Sequence, residues 1–236
     1  YKYDYRDEWL RFISTISSDG GGVGLAHRIL AGVGNIVESP EGAVWISDRA
    51  DRVALLDSWN LSAPEGAQAV DPSFSRFLEE RQTVINISTY RANPEAYPGL
   101  ILPEWLSEMS RAWLVIPLLH HDQLLGFVLL AQSRVARAVG EEDYILLTTV
   151  GRQAASYLAE REAARALAES QKFDEFNRRY AFVLHDIKNL VSQLSLLVQN
   201  SAKHKENPAF QDDMLETVKE SVDKMNRLLV RLHQSG

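Results

Sequence analysis

Apolar residues recur at helical spacing from the start of the chain, where Trp9, Phe12, Ile13 and Ile16 predict an amphipathic helix. A second helix is predicted from about Leu25 to Ile36, after a glycine-rich stretch. Residues 42–47 and 52–59 then read as short strands, and 71–80 as a helix with Pro72 in its first turn. Residues 84–88 give a further strand pattern. Residues 113–119 and 124–131 are almost continuously apolar and flank His120-His121-Asp122-Gln123, the pattern of a buried hairpin. Strands bracketed by helices make an α+β sheet domain.

Beyond this region the pattern changes. From Arg152 to Ser235 there is no glycine, and Pro208 is the only proline. Gly and Pro punctuate local structure, so two long helices joined by one turn are expected. The first should start at Glu141-Glu142-Asp143, acids that suit the positive end of a helix dipole, and run to Asn207-Pro208. About 65 residues at 1.5 Å each is roughly 95 Å, too long for one element of a compact monomer. Phe173, Phe176, Tyr180, Val183, Ile187, Leu190, Leu194 and Leu197 step alternately by three and four, a heptad seam that calls for partner helices. In the second helix, Asn207 is a good N-cap with Pro208 at N1. There Leu215, Val218, Val222, Met225, Leu229 and Leu232 repeat the seam. Two such hairpins from two chains form a four-helix bundle. Periodicity alone favours a plain dimerisation stalk.

Composition narrows the function classes. The 236 residues carry 25 Lys+Arg and 32 Asp+Glu, a net charge of −7, which argues against nucleic acid as a partner. Cysteine is absent, so disulfides, thiolate metal sites, iron–sulfur clusters and thioether-linked pigments are excluded. The apolar runs fall far short of the roughly 18 residues a membrane helix needs, and no signal peptide opens the chain. A cytoplasmic location is expected, with any membrane anchor of a longer parent lying upstream. The chain starts at Tyr1, as a piece of something longer would.

The order of elements over about residues 9–160 resembles a GAF domain, a small-ligand and signalling module. The resemblance rests on Leu114-Val115-Ile116-Pro117-Leu118-Leu119, a turn, then Leu124-Leu125-Gly126-Phe127-Val128-Leu129-Leu130, with a helix following. It implies a GAF-like sensor domain over 1–160 and an unidentified small ligand as a candidate partner. A signalling helix over 161–172 then leads into a helical region over 173–236.

His185 falls between seam positions. With Tyr180 at heptad position a, it is f, the most exposed site, with Asp186 beside it and Asn189 one turn on. An exposed helical histidine alone signifies little. Here His185-Asp186-Ile187-Lys188-Asn189, inside a heptad helix followed by a second, resembles the dimerisation and phosphoacceptor domain of sensor histidine kinases. That resemblance spans about 171–233. With a GAF-like domain before it, the segment looks most like kinases tied to PEP-CTERM/exosortase exopolysaccharide systems (PrsK-like). It implies that His185 takes a phosphoryl group on Nε2, that Asp186 acts as general base and fixes the tautomer, and that Asn189 positions water for the phosphatase reaction. It also implies a homodimer, a response-regulator receiver domain as partner, and ATP with Mg2+ on a catalytic domain absent from this chain. The parent would then be a protein histidine kinase, and this part inactive alone. Many family members carry Pro after the Asn; here it is Leu190, so a proline-driven bend is absent. Lys188 is basic as in many relatives and reads as a solvated charge.

Other motifs weigh less. Gly20-Gly21-Gly22-Val23-Gly24 lacks the Lys-Ser/Thr of a phosphate loop and reads as a connection. His120, His121 and Asp122 read as a solvated turn with side chains on opposite faces, not a metal site. His27 suits core or surface. Lys172-Phe173-Asp174-Glu175 only superficially matches a cyclic-nucleotide GAF signature, since Phe173 belongs to the seam. His204 and His233 sit near helix C-termini, where a cation suits the dipole. The alternative function is a non-enzymatic GAF-plus-coiled-coil adaptor, dimerising or binding a small ligand, in which His185 is inert.

Overall fold

The computed structural model describes residues 5–18, 24–49, 51–132, 138–204 and 206–233, with backbone alone at Ala202 and 231–233. Residues 20–23 of the glycine-rich stretch, and the side chains of Leu232 and His233, therefore lie outside the described residues. The chain divides into two compact units, Tyr1–Ala163 and Ala164–Gly236.

In the first unit the helices α1 (Tyr5–Ser17) and α2 (Leu25–Ile36) precede the strands β1 (Gly42–Arg49), β2 (Arg52–Trp59) and β3 (Ala67–Ala69). Then come α3 (Pro72–Arg81), β4 (Ile85–Asn86), α4 (Ile87–Ala92), a 3₁₀ turn (Pro94–Ala96) and α5 (Glu104–Glu108). The hairpin β5 (Ala112–His120) and β6 (Gln123–Ala131) leads to α6 (Glu141–His204), which crosses from the first unit into the second. The six strands form one sheet in the order β3-β2-β1-β6-β5-β4, with antiparallel pairing throughout.

Side-chain alternation along the central strands makes two cores. Val44, Leu114, Ile116, Leu118, Val128 and Leu130 face α1, α2 and the start of α6, packing with Phe12, Ile29, Val33 and Leu147. Trp45, Val115, Phe127 and Leu129 face the other way, against Phe74, Leu78 and Leu106. This two-sided burial is why the hairpin sequence shows almost no polar residue.

Backbone closeness explains two glycines. A Cβ on Gly126 would lie 2.1 Å from the Trp45 carbonyl oxygen of the neighbouring strand. One on Gly151 would lie 2.5 Å from the Pro117 carbonyl oxygen, so α6 rests directly on β5. The start of α6 is fixed by the buried Asp143, whose Oδ2 accepts the Gly140 N–H at 2.9 Å.

The strand expected over 84–88 is a correction. Only Ile85 and Asn86 pair with β5, and Ile87 opens α4. The side chain of Asn86 accepts the Thr89 N–H, so it caps a helix that a β-branched run had disguised. The β5–β6 turn holds a second. His121 and Asp122 both have positive φ, 48° and 62°, so strand alternation stops before them. The rings of His120 and His121 meet at 4.1 Å rather than pointing apart.

In the second unit, α6 continues to His204 and α7 runs Pro208–His233. Asn207 Oδ1 accepts the Ala209 N–H at 3.1 Å, the expected cap. Leu190 and Leu228 are 3% and 5% exposed, and Ser221 2%. Ser221 can be buried because its hydroxyl donates to the Thr217 carbonyl one turn back. The seam residues Leu215, Val222 and Leu229 stay 65%, 45% and 53% exposed. Within the chain α7 thus buries a face other than its heptad seam.

Candidate functional site

On the second unit the geometry centres on His185. Its side chain is 70% exposed, as a heptad f position should be. Asp186 is closer to the helix surface, its side chain 37% exposed, with Oδ1 3.7 Å from His185 Nδ1. Asn189, one turn on, brings Nδ2 to 3.4 Å from the same Nδ1. Two polar side chains therefore attend Nδ1, while Nε2 has no side-chain partner among the described residues. Lys188 is exposed, as a solvated charge would be. Leu190, where many phosphoacceptor helices have proline, is the deeply buried residue of this stretch and belongs to the hairpin's interior. The i, i+1 and i, i+4 spacing places the three polar residues together; the sequence suggested that trio, but not which neighbour lies nearer the ring.

The first unit offers different features. Under α3 and α5 the sheet carries an aromatic cluster. Trp45 lies 5.1 Å from Trp105 and 5.4 Å from Phe127, and Phe74 meets Phe127 edge-on at 5.4 Å. Trp105 donates its indole N–H to the Ala69 carbonyl, whereas the buried Trp45 Nε1 has no hydrogen-bond partner among the described residues. A polar cleft of about 350 Å³ is lined by Glu8, Arg11, Thr15, Asn35 and Glu38 around Phe12 and Gly32. A more apolar groove of about 330 Å³ lies among Tyr5, Trp9, Ile145, Leu146 and Thr149.

A clamp at the hairpin tip went unnoticed in the sequence. Asp122 Oδ1 accepts from Gln82 Nε2 at 3.0 Å and from both Arg152 guanidinium nitrogens at 3.2 Å, while Arg152 also donates to Gln82 Oε1. The Arg152 hydrogen bonds, then that of Gln82, hold the Asp122 carboxyl below the ordinary carboxylate range. These residues are 30 and 40 or more positions apart in sequence, so only the fold brings them together.

His27 lies 3.6 Å from Asp57, and the His204 ring lies tilted against Phe210 at 5.7 Å; neither joins a larger polar group among the described residues. Among the described residues no group of three or more His, Cys, Asp or Glu is placed to hold a metal. No described helix is long and apolar enough to cross a membrane.

A six-stranded antiparallel sheet with α1, α2 and α6 on one face and α3–α5 on the other defines a small α+β signalling-module fold. The GAF domain family model matches residues 42–160, and the chain belongs to that family. Among solved structures, the GAF domain of an Acinetobacter phosphoenolpyruvate-protein phosphotransferase is similar at 15% identity and TM-score 0.50, over 69% of this chain and 97% of that one. The corresponding domain from Coxiella burnetii gives 16%, 0.50, 69% and 96%. A bacteriophytochrome from R. palustris gives 12% identity and TM-score 0.55, over 79% of this chain and 43% of its own. No curated protein sequence matches the chain.

Proposed function

We propose that this chain is the sensor and phosphoacceptor portion of a two-component sensor histidine kinase, with His185 as the phosphorylated residue. The observation that carries the reading is an exposed imidazole on a helical hairpin, with a carboxylate and an amide both within 4 Å of Nδ1 and Nε2 unencumbered. The unused apolar seam of α7 supports the homodimer that a four-helix bundle requires.

ATP and Mg2+, held by a separate catalytic domain, supply the γ-phosphoryl group. His185 offers the Nε2 lone pair in line with the bond to the departing ADP oxygen, and that P–O bond breaks as the N–P bond forms. The ring becomes cationic in this step. Asp186 accepts or steadies the Nδ1 proton, which lowers the cost of that charge. The group then passes to an aspartate of a response-regulator receiver domain, and Asn189 orients water when that aspartyl phosphate is hydrolysed. Residues 1–160 serve as the sensor, and the chain works in the cytoplasm. Kinship with the PrsK-like kinases is part of the same reading.

The chemistry of the product tests it. A phosphoramidate on imidazole is lost in acid and survives base, whereas seryl phosphate does the reverse. Phosphorylated chain should lose its label in dilute acid within minutes and keep it in alkali. Acid-stable label contradicts the proposal.

A further inference from the structure

Within the first unit, α6 meets its surroundings in two different ways. Leu147, Val150, Ala154 and Ala155 pack into the core shared with α1 and α2. Apolar contacts are non-directional, so they fix how close the helix lies more than how far it slides or turns. Its polar contacts go to the opposite layer. The Tyr144 hydroxyl accepts from Asn86 Nδ2 at 3.1 Å. Arg152, eight residues on, donates to Gln82 Oε1 at 2.6 Å and to Asp122 Oδ1 at 3.2 Å. Neither amide can be turned round. Asn86 Oδ1 already accepts the Thr89 N–H, and Gln82 stands between a guanidinium that only donates and a carboxylate that only accepts.

Both partners are rooted in the layer formed by α3 and α4. Asn86 caps α4, and its N–H donates to the Tyr97 hydroxyl at 3.0 Å. Gln82 ends α3, whose Glu79 also accepts the Leu124 N–H at the hairpin tip at 3.0 Å. Phe77, Leu78, Ile85 and Ile87 beside them pack in the second core, to which α6 contributes no side chain among the described residues. Gln82, His121 and Asp122 all hold positive φ, 50°, 48° and 62°, a backbone conformation that a side chain disfavours and that the surrounding contacts must hold. Hydrogen bonds are directional, and Tyr144 and Arg152 stand about 12 Å apart along the helix and about 80° apart around it. Two such bonds fix both the height and the turn of α6.

We infer that these two polar pins, Tyr144 on Asn86 and Arg152 on Gln82 and Asp122, let the α3–α4 layer set the position of α6 on the sheet. A shift of α3 or α4 is then carried past the edge strand and the hairpin tip to the helix that leaves the domain. This coupling belongs to the GAF domain alone and stands whether or not His185 takes phosphate.

Hydrogen–deuterium exchange of the whole chain, read peptide by peptide, tests this. Gln82→Ala lies on α3, and Tyr144→Phe removes a single hydroxyl. Each should speed exchange of the α6 amides 145–158 by about two- to tenfold, the worth of one hydrogen bond, while the central strands β1 and β6 stay as they are. Transmission is read from inside the second core, where Phe77 meets Tyr97 edge-on at 6.1 Å. Phe77→Leu should speed the same α6 amides by about two- to fivefold in the otherwise wild-type chain. In a chain that also carries Tyr144→Phe and Arg152→Gln, it should add nothing to them. An equal response of α6 with and without the pins overturns the inference. So does exchange that rises only within α3 in Gln82→Ala and Phe77→Leu, or that rises equally through β1 and β6. Should Phe77→Leu not fold, Gln82→Ala decides alone, because it sits at the half-buried end of its helix.

Discussion

Arg152 on α6 donates through both terminal guanidinium nitrogens to one oxygen of Asp122 at the tip of the β5–β6 hairpin, each at 3.2 Å. The contact ties the first turns of α6 to the sheet it packs on, and Gln82 at the end of α3 closes the triangle. Because the Asp122 carboxyl sits below its ordinary value of 3.8 in the fold, its contribution is present above that value and lost as pH falls through the folded one. Arg152→Gln should therefore lower the melting temperature at pH 7, with the gap to wild type closing below about pH 4. Thermal melts of both proteins from pH 7 down to pH 3 check this. An equal gap at every pH would mean that Arg152 acts through packing instead.

The approach of strands at Gly126 leaves no room for a methyl group, since the Trp45 carbonyl oxygen occupies its place. Gly126→Ala must push β6 from β1 in the middle of the sheet, between the two cores. Overpacking of this kind costs about 1–3 kcal/mol. Gly151→Ala should cost a similar amount by lifting α6 from β5. Urea unfolding of each variant gives the number.

The second unit makes a separate prediction about assembly. Leu215, Val222 and Leu229 form an apolar ridge on α7 that the chain itself leaves exposed. A ridge of this kind on a soluble helix marks an interface. Val222→Asp should convert a dimer to a monomer in sedimentation experiments at micromolar concentration, because in the bundle it would bury an unpaired carboxylate. A wild-type chain that sediments as a monomer removes the basis for the four-helix bundle.

Helical continuity through 161–170 gives the signalling prediction. Ala163, Ala164, Ala166 and Ala168 present only small side chains there, and the whole stretch is helical and exposed. One inserted residue turns everything downstream by about 100°, whereas deletion of seven nearly restores the phase. Under the proposed kinase function, the insertion should change autophosphorylation of the full-length parent strongly and the heptad deletion only mildly. Equal responses would make the helix a passive tether.

Much of the first unit was legible because its signals are local. Leu25–Ile36 and Arg52–Trp59 end where the expected elements end, and the hairpin's apolar runs leave no second reading. The misses are physical too. Ala67–Ala69 has three residues, paired with β2, so no period can show. At Asn86 a side-chain cap overrides strand propensity. In α7 the hairpin buries Ser221 and Leu228 and leaves Leu215 and Leu229 exposed, and a buried serine is invisible to a hydrophobic pattern. For the site, spacing put Asp186 and Asn189 beside His185, but rotamers decide which one reaches Nδ1, and spacing does not carry that.

Phosphate transfer to His185 is the measurement on which the account turns. The wild-type chain and His185→Gln are incubated with radiolabelled ATP, Mg2+ and a histidine-kinase ATP-binding domain supplied in trans. The account predicts acid-labile label on the wild-type chain and none on His185→Gln, with the helical content of the two proteins unchanged because the residue is 70% exposed. Label of equal strength on both proteins, or on neither with the kinase domain of the same parent, would contradict it.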